Sequence, residues 1–333
     1  MRSLVCVLAI WLLWPTVALA QAPDRGALTV FLPDDRVRVG VTTGYPYGAV
    51  VYLAITSGRG LPTWCSGVII GPRLVLSAAH CLYGLANNGS AGWARSARVV
   101  PAKNGASEPF GSALARWYVP TPWITTDTGA SLWQVTRNHY DYAAVILPAP
   151  FGGITPLPLG TFSDATLTGP STLGLVVGYP NTEATGAPTG LMWLSHGLGR
   201  MRLGTYDPRM LGFYLSTQGG NSGGPVIVWT GTRGYVVAVN TYGSPAERQD
   251  YPNTGRRVDS TVTGFLDQVC ALEACTYTSY GSALPDLATA TATPSATPTL
   301  TPTRTAPTGT PTPTRTATAT ATPVSRKVYV PTT

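Results

Sequence analysis

The apolar residues of this chain arrive in short bursts. Ala49–Ile55, Val68–Ile70, Leu74–Leu76, Tyr142–Leu147, Leu173–Val177 and Tyr235–Val239 are each at most seven residues long, and turn-forming residues separate them. Most contain β-branched or aromatic side chains, which suit a half-buried strand better than a helix. The 37 glycines and 30 prolines supply the turns, while a charged fraction of 11% lacks the Glu and Lys that coiled coils and long-helix bundles need. One helical pattern interrupts the series: Val262, Phe265, Leu266 and Val269 recur at i, i+3, i+4 and i+7, with Ser260 or Thr261 available as N-cap. The expectation is an all-β fold of barrel type with a C-terminal amphipathic helix.

The two ends differ from this middle. Arg2, the apolar stretch Leu4 to Leu13 ended by Pro15, and Ala18-Leu19-Ala20 make the three parts of a secretory signal peptide over residues 1–20. The run is too short and broken to span a bilayer, and no later segment is longer, so no transmembrane segment is expected in the mature chain. From about Leu287 the composition turns to Thr, Ala and Pro, and no acidic residue follows Asp286. Such a stretch cannot bury a core, and 281–323 reads as a disordered, extended linker. Residues 324–333 regain apolar character in Val328-Tyr329-Val330-Pro331, as a tail of unknown role. The formal net charge is +7, but the arginines are dispersed, which excludes a nucleic-acid face.

Export places the cysteines in an oxidising compartment. Once Cys6 leaves with the signal, Cys65, Cys81, Cys270 and Cys275 remain, and the two close spacings point to Cys65–Cys81 and Cys270–Cys275 disulfides. A zinc site is disfavoured, because no Cys-x-x-Cys occurs and the chain has three His. No metal or cofactor is expected.

The stretch Gly219-Gly220-Asn221-Ser222-Gly223-Gly224-Pro225 carries the chemistry. Glycines around a serine let the backbone approach a carbonyl closely, with Ser222 as nucleophile and the Gly220 and Ser222 N–H groups as oxyanion donors. A Gly-x-Ser-x-Gly run also matches the elbow of α/β-hydrolases, but that order needs a His after the Ser, and His80, His139 and His196 all precede it. A subtilisin order would need Asp34 or Asp35 before His80, on an α/β fold that the short strands do not suit. What remains is the His…Asp…Ser order of chymotrypsin-like barrels. His80 ends Leu74-Val75-Leu76-Ser77-Ala78-Ala79-His80-Cys81, where a disulfide to Cys65 would pin the base; closing a loop of about 15 residues contributes roughly 3 kcal/mol. Asp141 leads directly into the apolar run Tyr142–Leu147, where it can lie buried and hold an imidazole tautomer. His196, between Ser195 and Gly197, lacks such context and reads as a surface or loop residue.

Cys65-Ser66-Gly67-Val68-Ile69-Ile70-Gly71, Ser77-Ala78-Ala79-His80-Cys81, Tyr140-Asp141-Tyr142-Ala143, Gly178-Tyr179-Pro180 and the Ser222 stretch together resemble secreted bacterial trypsin-like serine proteases, the glutamyl endopeptidase branch above all. Asp34-Asp35-Arg36 and Thr42-Thr43-Gly44-Tyr45-Pro46-Tyr47 are similar to the start of the mature enzyme in that branch. The resemblance spans roughly residues 30 to 270. It implies two six-stranded antiparallel β-barrels with His80, Asp141 and Ser222 in the cleft between them, a protease domain over 30–280, and a short prosegment over 21–29. It also implies a secreted or cell-surface endopeptidase acting as a monomer on proteins or peptides.

Two positions depart from the wider family. Asn221 stands where animal trypsins carry the Asp that pairs with a newly freed N-terminal amine. Asn240 stands where glutamate-cleaving relatives carry a His that holds the substrate carboxylate. In this fold the primary pocket is set by the residue six before the nucleophile, Ser216, with Thr217, Asn240 and Thr241 around it. No acid lies there, so the expectation is cleavage after Glu, Gln or other polar residues rather than Lys or Arg. A catalytically silent binding or adhesion module, or an esterase using the same three residues, are the competing classes.

Overall fold

The computed structural model describes residues 29–84, 92–125, 136–181, 189–204, 207–231, 233–243 and 249–281, and the backbone of 327–330. The expected signal peptide, the prosegment up to residue 28, the linker beyond Gly281 and most of the tail lie outside the described residues.

Each of the six short apolar runs from Ala49–Ile55 to Tyr235–Val239 lies within a strand or contains most of one. Val50–Thr56, Pro62–Gly71, Leu74–Ser77 and Ala143–Ile146 belong to one sheet, and Leu173–Gly178, Pro225–Thr230 and Arg233–Tyr242 to a second. The first sheet runs Arg116–Pro120, Ala143–Ile146, Leu74–Ser77, Pro62–Gly71, Val50–Thr56, Ser96–Pro101, Ala113–Leu114, with Lys327–Val330 added in parallel on its Arg116–Pro120 edge. The second runs Val37–Arg38, Trp193–Leu198, Leu173–Gly178, Pro225–Thr230, Arg233–Tyr242, Asn253–Arg257, Met210–Phe213, Met201–Leu203. Both are built on antiparallel neighbours and form barrel-like halves. Among the described residues the sheets hold eight and ten strands, because two-residue segments such as Ala113–Leu114 and Val37–Arg38 pair at their edges and Leu159–Gly160 pairs in parallel with Arg233–Tyr242.

Period-two alternation fills two cores. Along Pro225–Thr230, Val226 and Val228 enter the core of the second half, with Phe213, Val237 and Tyr235, while Ile227 joins the larger core of the first half. The helix Ser260–Glu273 lays Val262, Phe265, Leu266 and Val269, all at most 1% exposed, on that larger core. The expected cap is corrected. Asp259, not Ser260 or Thr261, is the N-cap, and its carboxylate accepts from the Thr261 and Val262 N–H groups at 3.0 and 3.1 Å. Asp259 prevails because Arg256, fully buried, grips the same carboxylate at 2.9 and 3.0 Å and fixes it at the helix start. No described helix is long and apolar enough to cross a membrane.

Candidate active site

His80 and Asp141 meet because two neighbouring strands are in register. Leu74–Ser77 pairs antiparallel with Ala143–Ile146, Ser77 opposite Ala143. The chain leaves Ser77 into one helical turn, Ala79–Leu82, and enters Ala143 from Asp141, so both side chains emerge at the same end of the pair. The fully buried Asp141 carboxylate accepts from the His80 backbone N–H at 2.9 Å and meets its ring Nδ1 at 2.7 Å. With Nδ1 donating, Nε2 is left as the basic nitrogen. Burial alone would favour the neutral ring, but the charge and the hydrogen bond of Asp141 outweigh it and hold the His80 pKa above the ordinary value. The Cys65–Cys81 disulfide, Cα–Cα 6.2 Å, ties the His80 turn to the adjacent Pro62–Gly71 strand, and Cys270–Cys275 closes the end of the C-terminal helix.

Ser222 lies on a loop of the second half whose backbone is held at many points. The Asn221 N–H donates to the Gln218 carbonyl at 3.0 Å, closing a turn. The Gly219 carbonyl accepts from the Asn181 N–H at 2.6 Å. A trans peptide directs its N–H opposite to its carbonyl, so the Gly220 N–H faces away from Asn181. Gly220 has φ +95°, and a Cβ there would stand 2.4 Å from both the Trp64 Nε1 and the Tyr179 carbonyl oxygen, so only glycine fits. The Gly223 N–H donates to the Asn240 carbonyl and the Asn240 N–H to the Gly224 carbonyl, each at 2.8 Å. Ser222 and His80 line one cavity of about 180 Å³, together with Trp64, the Cys65–Cys81 bridge and Ser57.

The expected pocket residues are all buried. Ser216 accepts at its hydroxyl from the Phe31 N–H at 3.0 Å, and the Thr217 N–H donates to the Thr29 carbonyl at 3.1 Å. Thr217 and Asn240 are each 0% exposed, and among the described residues the Thr217 hydroxyl and both polar atoms of the Asn240 side chain have no hydrogen-bond partner. The Thr241 hydroxyl donates to the Thr254 carbonyl at 3.3 Å.

Sequence reasoning missed what seats the first described residues here. Asn253 accepts from the Thr29 N–H at 2.8 Å and donates to the Thr29 and Leu215 carbonyls at 2.7 and 2.9 Å. No local signal marks Asn253, since its partners are distant in sequence. Tyr242, also missed, brings its ring to 6.1 Å from that of His80, and burial pushes its phenol well above the ordinary value. His139 pairs with Asp207 at 2.7 Å, and His196 is exposed on Trp193–Leu198.

Cys65, His80 and Cys81 offer ligand atoms within 4.8 Å of one another, but the two sulfurs are bonded to each other and have no thiolate to give a metal.

Comparison with known proteins bears on this geometry. The profile of the Trypsin family matches residues 39–263. The chain is 31% identical over 215 residues to a glutamyl endopeptidase of Bacillus licheniformis, a match covering 64% of this chain and 59% of that protein. It is 28% identical over 234 residues to an extracellular metalloprotease of Bacillus subtilis, covering 69% of this chain and 66% of the relative. Among solved structures, a Glu endopeptidase in complex with MPD superposes with a TM-score of 0.57 at 24% identity, covering 73% of this chain and all of the other.

Proposed function

The chain belongs to the trypsin family, and from that premise we propose that it is an exported serine endopeptidase working through an acyl-enzyme. The observation that carries this reading is the His80–Asp141 pair at 2.7 Å beside the cavity that Ser222 also lines. In the proposed reaction the Ser222 Oγ attacks the scissile carbonyl carbon while the His80 Nε2 takes its proton. The Gly220 and Ser222 N–H groups receive the oxyanion. The C–N bond then breaks, His80 gives the proton to the departing amine, and water repeats the sequence on the ester. Asp141 keeps the imidazole in the required tautomer and stabilises the imidazolium.

The matched Bacillus subtilis relative is called a metalloprotease, and the Cys65, His80 and Cys81 donors do not fit a metal centre here, so no step is routed through an ion. For the substrate we propose a polar residue before the scissile bond, Glu or Gln foremost. Support comes from the unpartnered Thr217 and Asn240 side-chain groups beside the nucleophile loop. We further propose that the signal peptide over 1–20 and a prosegment ending near Thr29 are removed, that 30–280 is the catalytic unit, and that 281–323 is a stalk or linker. The buried seat of Thr29 against Thr217 and Asn253 fits a mature N-terminus close to the pocket.

The test is direct. Ser222→Ala and His80→Ala should each lower amide hydrolysis by at least about 10⁴-fold while the far-UV spectrum and melting profile stay those of the parent. A Ser222→Ala protein cutting casein at the parent rate would sink the assignment.

A further inference from the structure

We propose that Ser66 is a positioning residue for the oxyanion hole, holding the Gly220 peptide from the opposite half of the molecule. The proposal rests on the reading of Ser222 as nucleophile and of the Gly220 and Ser222 N–H groups as oxyanion donors. Ser66 is fully buried on the Pro62–Gly71 strand. Its hydroxyl donates to the Gly220 carbonyl at 2.8 Å and accepts from the Tyr179 N–H at 2.9 Å. Its backbone N–H donates to the Ser222 carbonyl at 2.7 Å, and its carbonyl accepts from the Ser77 hydroxyl at 2.8 Å. One residue of the first half thus grips the nucleophile loop on both sides of Asn221.

The geometry explains why this matters for the hole. The direction of the Gly220 N–H is set by the peptide before Gly220 and by the rotation about its own Cα. The Asn181 N–H holds the preceding peptide by the Gly219 carbonyl, and the Ser66 hydroxyl holds the following one by the Gly220 carbonyl. A glycine at φ +95° has the widest rotational freedom of any residue, so two clamps are needed to keep one N–H aimed. The surroundings are cleared for the hydroxyl: a Cβ at Gly178 would come 2.7 Å from the Ser66 Oγ, and one at Gly224 3.2 Å from its Cβ. Loss of the hydroxyl leaves the Gly220 carbonyl and the Tyr179 N–H unpaired in a buried place, and the Gly220 peptide turns to recover a partner.

The experiment uses the processed enzyme, its Ser66→Ala variant and Ser77→Ala as a control. Ser77→Ala removes the hydroxyl bonded to the Ser66 carbonyl without touching Gly220. For Ser66→Ala, kcat on a peptide amide should fall about 10- to 100-fold with KM within about twofold. The inhibition constant of a peptidyl boronic acid, whose tetrahedral adduct fills the hole, should rise in the same proportion. The affinity for the cleaved acid product and the acidic limb of the pH profile should stay unchanged, because His80 and Asp141 are not involved. Ser77→Ala should keep kcat within about threefold of the parent. Should Ser66→Ala fail to fold, Ser66→Cys keeps the size with a weaker donor and should show the same kcat-only loss at smaller size. Retained kcat in folded Ser66→Ala or Ser66→Cys, a loss carried by KM or product affinity, or an equal loss in Ser77→Ala would overturn the proposal. Failure of the parent enzyme to react with a fluorophosphonate would instead overturn the nucleophile reading beneath it.

Discussion

Asp141 reaches His80 twice, at the backbone N–H and at Nδ1, and the two contacts do different work. The first fixes where the turn sits; the second fixes which ring nitrogen is basic and raises the pKa of the ring. The proposed reaction needs the neutral imidazole, so a raised pKa moves the rising limb of kcat/KM to higher pH. The expected limb lies above the ordinary His value of about 6.5, read from kcat/KM against pH on a neutral substrate. Asp141→Asn removes both raising influences; activity should drop about 10⁴-fold, and the residual limb should move to lower pH. A limb at or below the ordinary value in the parent would contradict the pairing. Asn240 is the other residue with a direct reading. Its side chain is neutral and has no partner among the described residues, so it gives a carboxylate no charge-assisted bond. Asn240→His should raise the Glu-to-Gln ratio of kcat/KM severalfold below about pH 6.5, where the new imidazole is charged. A ratio that stays flat across pH would remove Asn240 from the pocket.

At the scale of elements, the C-terminal helix braces the site from behind. Phe265 meets the Tyr142 ring edge-on at 5.2 Å, one residue from Asp141, and the Arg256 guanidinium lies 5.4 Å from the centre of the same ring. Arg256 also donates to the His139 carbonyl, so cap, strand and Asp141 segment share one buried cation. Asp259→Ala removes both the helix cap and the partner of that cation. The expected loss is about 3 kcal/mol by chemical denaturation, against under about 0.5 kcal/mol for Ser260→Ala. Equal effects of the two substitutions would return the cap to Ser260.

For the whole molecule, the proposed nucleophile and its proposed base belong to different halves. His80 and Asp141 flank strands of the first sheet, and Ser222 precedes a strand of the second. The larger core crosses between them, taking Val236 and Val239 from the second half and Val75 and Leu76 from the first. The Lys327–Val330 segment meets this body through four parallel pairings on the Arg116–Pro120 edge and also lies near the Ser260–Glu273 helix. A chain ending at Gly281 should therefore keep its kcat/KM, with a melting temperature that reports a loss within about 1 kcal/mol. A large loss would make the C-terminal segment part of the catalytic unit.

What the sequence determined by itself is everything written in short range or in order. Strand runs, helix face, both disulfides and the His80, Asp141, Ser222 order are local patterns, and burial of alternate residues along each strand follows from a period of two. The N-cap was missed by one residue, because Ser260, Thr261 and Asp259 are all good caps and a buried Arg256 chose among them. The seat of Thr29 on Asn253, 224 residues away, and the grip of Ser66 on Gly220, 154 residues away, were decided only by the tertiary structure. A hydrogen bond between ordinary side chain and distant backbone leaves no periodicity, spacing or composition to read, and it exists only once two sheets have packed and the glycines between them have let the chains close.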